Sequence, residues 1–376
     1  MPKIIAFTRE HKAGRMPNAG SPRQASENER IASSITQLYP DLDGVMSAVP
    51  GITVSIVVPT KGRPQLLNRC LASLVLQDFD RRRFEIIVVD DGPDNDTREA
   101  VIGWSTCTAG SGPEIAYIPS MGPHGPAAAR NRGWHAARGD IVAFTDDDTV
   151  AETGWLQKGH QAFEDGVDAV WGRIHMPLNG DGKPTDYERD ARNLESAEFV
   201  TANCFVRKRV LERVGGFDER FRFAWREDSD LYFNLLSHDA RIVHAPEAVM
   251  KHPIRPARWG VSLRQLKKVQ FDALLFKKHP RLYRQKIRAA PRWDFYLTVA
   301  SLLALAGAVL AGDAVTAISA GLLWLFMTGR FCALRLKNTS KAPSHIAEML
   351  VTSALIPPLA LFWRAVGALK FRAGLL

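Results

Sequence analysis

Short apolar runs alternate with stretches of helical periodicity from about residue 53 onward. Four of these runs, at 54–59, 84–90, 114–118 and 141–145, are rich in β-branched or aromatic residues and predict buried strands. Helices are predicted after Pro64, Asp96 and Gly125, where proline or a capping residue begins a periodic stretch. Strands that alternate with helices at this spacing predict an α/β fold with a mostly parallel sheet covered on both faces.

The pattern continues less regularly between residues 150 and 253. The residues predict helices at 152–164, 208–214 and 228–236, strands at 168–174, 198–206 and 241–245, and a polar surface loop at 177–192. We expect the whole stretch 51–255 to form one domain.

The first fifty residues have a weaker pattern. They predict an N-terminal extension with a short strand at 3–7, a flexible polar arm at 8–30 and a helix at 29–39. Residues 1–25 lack the apolar core of a secretion signal, and the four cysteines form no CxxC pair. Both features favour a reducing compartment and argue against a zinc site or a disulfide framework.

Three long apolar runs occupy the C-terminal part, at 295–312, 314–329 and 346–363. Each is at or slightly below the roughly 17–25 residues that cross a bilayer, so residues 293–376 are expected to form membrane helices. The first two runs predict a hairpin. The third contains Glu348, Pro357 and Pro358, so an interfacial or re-entrant segment remains an alternative to a span.

The positive charge of the chain is concentrated immediately before these runs. The formal net charge is +9, yet thirteen basic residues and one acid, Asp272, fall between Lys251 and Arg292. Residues 256–292 are therefore expected to form basic, amphipathic helices beside the membrane. Binding to nucleic acid is the alternative, but the apolar runs that follow favour anionic lipid headgroups. The basic residues on both sides of the hairpin predict an inner-membrane protein with a cytoplasmic catalytic domain.

Carboxylates mark the ends of two predicted strands. Asp146, Asp147 and Asp148 follow the fourth strand, and Asp90 and Asp91 end the second. Ligands of open α/β sheets bind at the carboxyl ends of the strands, and a divalent cation such as Mg²⁺ or Mn²⁺ prefers oxygen ligands. The acids therefore predict a metal-diphosphate site, with a solvated turn in which Asp148 caps a helix as the alternative.

Five segments together resemble a family 2 glycosyltransferase with the GT-A fold, a Rossmann-like α/β fold. They are SIVVPTKGRP (55–64), FEIIVVDDG (84–92), GPAAARNRGWHAARGDIVAFTDDD (125–148), GGFDERF (215–221) and REDSDL (226–231). The resemblance covers about residues 53–253, and the segments occur in the order and at the spacing of that family.

The resemblance implies a pocket for a nucleotide-diphosphate sugar. Pro59, Thr60 and Arg63 would line the nucleotide pocket, and Asp91 would contact the nucleobase with Asp90 beside it. Arg130 would lie near the diphosphate, and the alternative for it is a helix-surface arginine.

The resemblance also implies a metal site and a base. Asp146 and Asp148 would be the two ends of the DxD motif, with Asp148 on the metal and Asp147 near the sugar or ribose. Glu227 and Asp228 match the acidic pair of the family, with Asp228 as general base; the alternative for Asp228 is a helix N-cap. His252 resembles a histidine that completes the metal shell in some members, although an isolated histidine is more often structural.

The expected activity is inverting, metal-dependent transfer of a sugar to a cell-envelope glycan or lipid-linked acceptor. Processive synthases carry TED and QxxRW motifs, whereas this chain has Arg226-Glu227-Asp228 and an arginine, Arg255, where the glutamine is expected. Those departures and the short tail favour transfer of a single sugar. Transfer directly to polyprenyl phosphate is a close alternative, and a non-catalytic membrane-anchored scaffold is a more distant one.

Overall fold

The computed structural model describes residues 51–178 and 182–374. The strand at 3–7, the arm at 8–30 and the helix at 29–39 lie outside these residues. The division of the chain at residues 50, 255 and 292 stays a prediction.

An eight-stranded sheet with the strand order β3-β2-β1-β4-β7-β6-β8-β5 forms the centre of the fold. Its first half consists of the parallel strands β1 (Val54–Thr60), β2 (Phe84–Asp90), β3 (Glu114–Pro119) and β4 (Ile141–Phe144). Helices α1 (Pro64–Val75), α2 (Asn95–Thr108) and α3 (Pro126–Ala136) connect them. Side chains alternate between the two faces, so Ile56 and Val58 enter one core cluster and Val57 enters another.

The second half of the sheet is mixed. Strand β7 (Cys204–Arg207) runs antiparallel to β4 and to β6 (Ala169–His175), β8 (Ile242–Lys251) is parallel to β6, and the short β5 (Val150–Ala151) is antiparallel to β8. The helices here are α4 (Trp155–Gln161), α5 (Asp186–Ala191), α6 (Lys208–Val214) and α7 (Glu227–Ser237), with a 3₁₀ helix at Arg192–Ser196.

The register of the parallel strands brings the acids together. Thr60 at the end of β1 pairs with Asp90 at the end of β2, and Val57 pairs with Phe144, the last residue of β4. The segments that follow these strands therefore leave the sheet at the same edge. This confirms that the two acidic strand ends face the same side of the sheet.

Several predicted elements were wrong in extent or type. The strand expected at 198–206 is only Cys204–Arg207, because residues 198–203 form an irregular turn in which Phe199 has a left-handed φ of 52°. The loop expected at 177–192 contains α5, which begins at a capping box formed by Thr185 and Glu188. The helix expected at 152–164 is only Trp155–Gln161, since the N–H of Glu152 donates to the carbonyl of Val249 in β8 and the chain turns before the helix begins.

The basic segment folds as short helices, and the three apolar runs fold as long ones. The short helices are α8 (Val261–Gln265), α9 (Gln270–Lys278) and α10 (Pro280–Lys286), with a 3₁₀ helix at Leu266–Val269; the long ones are α11 (Trp293–Ala311), α12 (Ala314–Leu336) and α13 (Pro343–Phe371). By length and composition each long helix can cross a membrane. Helix α13 continues through Pro357 and Pro358, as membrane helices tolerate.

A buried ion pair joins the long helices to α5. Arg335, near the end of α12, contacts the carboxylate of Asp186 at 2.8 Å and donates hydrogen bonds to Thr352 and Ser353 on α13. The backbone N–H of Asp186 donates to Nε2 of His345, also on α13, at 3.0 Å. Because these groups are largely buried, the contact fixes α5 to the apolar helices.

We predict that Arg335→Leu destabilises the protein. The substitution leaves Asp186 with Arg189 as its remaining cation partner and removes the hydrogen bonds to Thr352 and Ser353, which together cost on the order of 1–3 kcal/mol. A clear fall in the thermal melting temperature in detergent is expected. Arg330→Leu on the exposed face of the same helix is the matched control, and equal melting temperatures for the two variants would contradict the prediction.

Candidate active site

A cleft of about 1000 Å³ opens at the carboxyl edge of the sheet. Its walls come from the ends of β1, β2 and β4, from α3, from the start of α7, from the residues after β8 and from the basic segment. Of the residues that the sequence predicted, the following line it: Pro59, Thr60, Arg63, Asp91, Arg130, Asp146, Asp148, Glu227, Asp228 and His252. Acids that are distant in the sequence therefore share one cavity.

Arg130 of α3 lies at the centre of this arrangement and is only 3% exposed. Its guanidinium contacts Asp146 at 2.6 Å and Glu227 at 3.2 Å. Burial by itself would raise the pKa of Asp146, but the nearby positive charges, with Arg130 first among them, have the larger combined effect, so the pKa of this carboxyl is lowered. Arg130 is therefore an internal bridge, which excludes the helix-surface alternative.

The other two aspartates of the triplet are also paired with cations. Asp147 is fully buried, accepts a hydrogen bond from Thr60 at 2.7 Å and contacts Arg63 at 2.7 Å. Burial nevertheless raises the pKa of Asp147 to about 6. Asp148 contacts Arg255 at 3.0 Å. Each of the three aspartates therefore contacts an arginine. The repulsion among these carboxylates, which in the sequence suggested a metal, is compensated by the three positive charges.

Asp90 and Asp91 have different environments. Asp90 is fully buried, and its carboxylate accepts hydrogen bonds from the N–H of Gly92 and from the hydroxyl of Tyr117, so it stabilises the turn after β2. Asp91 reaches the cleft, where it accepts a hydrogen bond from the N–H of Gly125 at 2.9 Å. Gly125 has a φ of 125°, and a Cβ there would strike the backbone of Arg222, so only glycine fits this contact.

The acidic pair begins helix α7. The N-cap is Arg226, with a φ of 75°, so the alternative role of Asp228 as N-cap is not observed. Burial, reinforced by the carboxylate of Asp228, raises the pKa of Glu227 to about 7, and Arg130 offsets only part of this effect. Asp228 is more accessible and its Oδ1 accepts a hydrogen bond from the N–H of Ser229 at 2.6 Å. The second oxygen of Glu227, Oε2, is buried without a hydrogen bond among the described residues.

Three side chains are arranged so that they can hold a metal ion. The ligating atoms of Asp146, Asp148 and His252 lie within 4.8 Å of one another. The Nδ1 atom of His252 is buried and has no hydrogen-bond partner in the described part of the chain. Two carboxylates and one imidazole suit a divalent cation such as Mn²⁺, so the donor set fits.

The sequence did not single out every cation of the cleft. Lys61 contacts Asp91 at 3.2 Å, and Arg255 contacts Asp148 as described above. Lys268 and Lys286 also line the cleft. Lys61, Arg255 and Lys286 contact acids that lie far away in the sequence, so their position after a predicted strand or inside a basic stretch gave no indication of these partners.

A mixed, curled sheet with acidic strand ends around one cleft is the architecture of nucleotide-sugar enzymes with the GT-A fold. A solved structure supports this fold: mannosyltransferase PcManGT from Pyrobaculum calidifontis, in complex with GDP-Man and Mn²⁺, matches with a TM-score of 0.51 at 19% identity. The match covers 86% of this chain and 88% of that chain.

Curated proteins and family models agree with this class. The chain is 28% identical over 213 residues to glycosyltransferase AglE of Haloferax volcanii, covering 54% of this chain and 67% of AglE. It is also 28% identical over 200 residues to the GalNAc(5)-diNAcBac-PP-undecaprenol beta-1,3-glucosyltransferase of Campylobacter jejuni, covering 51% of this chain and 62% of that protein. Across the first curated relatives that it matches, the chain spans between 43% and 67% of their length.

Two family models match the sequence directly. The model of glycosyl transferase family 2 matches residues 55–221, and that of glycosyl transferase family group 2 matches residues 141–364. The second match covers more than half of the chain, so the protein belongs to glycosyltransferase family 2. It is therefore a glycosyltransferase, which argues against the alternative of a non-catalytic scaffold.

We predict that Asp148→Ala and His252→Ala each weaken Mn²⁺ binding by on the order of tenfold or more, since each removes one of three converging ligands. The loss of the free-ion signal in electron paramagnetic resonance measures the affinity directly and needs no turnover. Asp96→Asn, an exposed acid on α2, is the control. Unchanged affinity in both alanine variants would place the ion elsewhere.

Proposed function

We propose that the protein transfers one sugar from a nucleotide-diphosphate sugar to a lipid-linked glycan acceptor, with inversion at the anomeric carbon and with help from a divalent cation. One observation carries the proposal: Arg130 holds the acids of the β4 end and the acids of the α7 start on two sides of a single cleft. Inverting transfer needs one group of residues for the leaving diphosphate and another for the acceptor hydroxyl.

The donor would occupy the β1–β4 side of the cleft. Pro59, Thr60 and Arg63 would border the nucleotide, and the carboxylate of Asp91 would accept a hydrogen bond from the base. Asp90 and Asp147 would support the residues that border the donor without contacting the donor themselves. Both side chains are fully buried and already hydrogen-bonded to neighbouring groups. Arg130 would then hold Asp146 in place while its positive charge lies near the diphosphate.

The cation would be held by Asp146, Asp148 and His252, whose ligating atoms converge. A bound Mg²⁺ or Mn²⁺ neutralises charge that develops on a departing diphosphate. Arg255 at 3.0 Å from Asp148 adds a second positive charge on the same side. The likeness to a structure with bound Mn²⁺ supports this part of the proposal only through the shared fold.

The acceptor side would use Asp228 as the general base. Its carboxylate takes the proton of the acceptor hydroxyl, that oxygen bonds to the anomeric carbon, and the bond from this carbon to the diphosphate oxygen breaks. Glu227, whose pKa is raised by burial, would hold its position through Arg130. Inversion needs no covalent intermediate on the enzyme.

The membrane would supply the acceptor. Three helices able to span a bilayer follow the basic segment, and a relative from Campylobacter jejuni is named for an undecaprenol-diphosphate substrate. We propose an inner-membrane location with the cleft on the cytoplasmic side, and no role in nucleic-acid binding. The alternative is direct transfer of the sugar to polyprenyl phosphate. It would be detected by incubation with a labelled nucleotide sugar, because the label would then be attached to polyprenyl phosphate.

We predict that Asp228→Asn lowers turnover by about 10²–10⁴-fold, the usual contribution of a positioned base, while donor binding stays the same. A panel of nucleotide sugars with membrane-extracted lipid-linked acceptors, followed by release of nucleoside diphosphate, identifies the donor and measures turnover. Asp239→Asn, beyond the far end of α7, is the matched control. Full activity of the Asp228→Asn variant would refute the assignment of the base.

A further inference from the structure

One cation that lines the cleft contacts no carboxylate among the described residues. Eight basic side chains line the cleft, and among the described residues seven contact a carboxylate: Lys61, Arg63, Arg130, Arg226, His252, Arg255 and Lys286. The eighth is Lys268, for which no acid of residues 51–178 or 182–374 lies within ion-pair distance. A half-buried ammonium without a counter-ion is costly, so its presence in a cavity points to an anionic ligand.

The surroundings of Lys268 agree with this interpretation. Burial lowers the pKa of Lys268, and the strongest opposing charge is the carboxylate of Glu227. Glu227 belongs to the acceptor side of the cleft. The other charges that act on the pKa of Lys268 are those of Arg255 and Lys267, and both lower it further.

The position of Lys268 in the fold also connects the cleft to the membrane helices. It belongs to the 3₁₀ helix Leu266–Val269, which packs against α13. Gln265, Lys286 and Ile287 also line the cleft, and Lys286 already contacts Glu198 at 2.5 Å. An acceptor that enters from the membrane would pass this wall before its sugar reached Asp228.

We infer that Lys268 binds a phosphate of the lipid-linked acceptor, which makes the membrane-proximal end of the cleft an anion subsite. The inference rests on the proposed function, because it assigns the acceptor a phosphate between its lipid and its sugar. A phosphate oxygen would accept a charge-assisted hydrogen bond from the ammonium and restore the missing counter-charge. Lys268 acts in binding and takes no part in the transfer step.

Binding of farnesyl diphosphate to the full chain tests the subsite without any turnover. The protein is placed in nanodiscs of uncharged phosphatidylcholine, and affinity is measured by isothermal titration calorimetry with farnesol as the phosphate-free probe. Lys268→Gln is expected to weaken farnesyl diphosphate binding by about tenfold or more, as for loss of a hydrogen bond to a charged group. Lys268→Arg should retain most of the affinity, and farnesol binding should not change.

The neighbouring lysine provides the matched control. Lys267 is exposed, lies over the ring of Phe223 and does not line the cleft, so Lys267→Gln should bind farnesyl diphosphate as the unaltered protein does. If Lys268→Gln and Lys267→Gln lost the same amount of affinity for farnesyl diphosphate, the ligand would be attracted to the basic segment as a whole. That result would overturn the inference.

A second titration separates the acceptor from the donor. UDP and GDP, each with Mn²⁺, should bind the Lys268→Gln variant with unchanged affinity, and saturation with either should leave farnesyl diphosphate binding in place. Loss of nucleotide affinity instead would assign Lys268 to the donor diphosphate and overturn the inference. A protein that binds farnesyl diphosphate through Lys268 but transfers no sugar would support the subsite and contradict the proposed function.

Discussion

The buried guanidinium of Arg130 is the constraint on which the rest of the site depends. It is 3% exposed and bridges Asp146 after β4 and Glu227 at the start of α7, two segments that the sheet alone would not hold together. An unpaired charge at this depth would be strongly destabilising, so both acids are needed for the fold as well as for the chemistry. The two walls of the cleft thus have a fixed separation before any substrate arrives. Such preorganisation is what electrostatic catalysis requires.

Charge compensation explains how so many acids share one cavity. Each aspartate of the 146–148 triplet contacts a different arginine, from α3, from the loop after β1 and from the segment after β8. The acids are therefore stable without a metal, and a cation would share Asp148 with Arg255 rather than relieve an uncompensated cluster. The same comparison of charges singles out Lys268 as a cation that has no acid partner within the described part of the cleft.

The sequence predicted the parts of the fold whose physical causes are local or follow from sheet geometry. Strands β1 to β4 are apolar runs that end at turn-forming or acidic residues, and parallel pairing then places Asp91 and Asp146 at one edge. It failed where burial occurs without periodicity: Phe199 is buried in an irregular loop, so its apolar character was mistaken for a strand. The capping box at Thr185 was visible in the sequence, but the polar composition around it concealed α5. Contacts such as Arg255 with Asp148 could not be predicted, since no pattern links residues that meet only after folding.

The position of α5 connects the cleft with the membrane helices. Asp190 and Ala191, at the end of this helix, line the cleft, and Asp186, at its start, is held by Arg335 and His345 of α12 and α13. Movement of the long helices relative to the sheet would therefore move one wall of the cavity. The 3₁₀ helix that carries Lys268 packs against α13 as well, so a second part of the same wall depends on the same helices. The donor side of the proposed reaction is built on the parallel strands, whereas α5 and this 3₁₀ helix contact the long apolar helices. Under the proposed function this division has a physical reason, because a soluble donor and a lipid-linked acceptor approach from different phases.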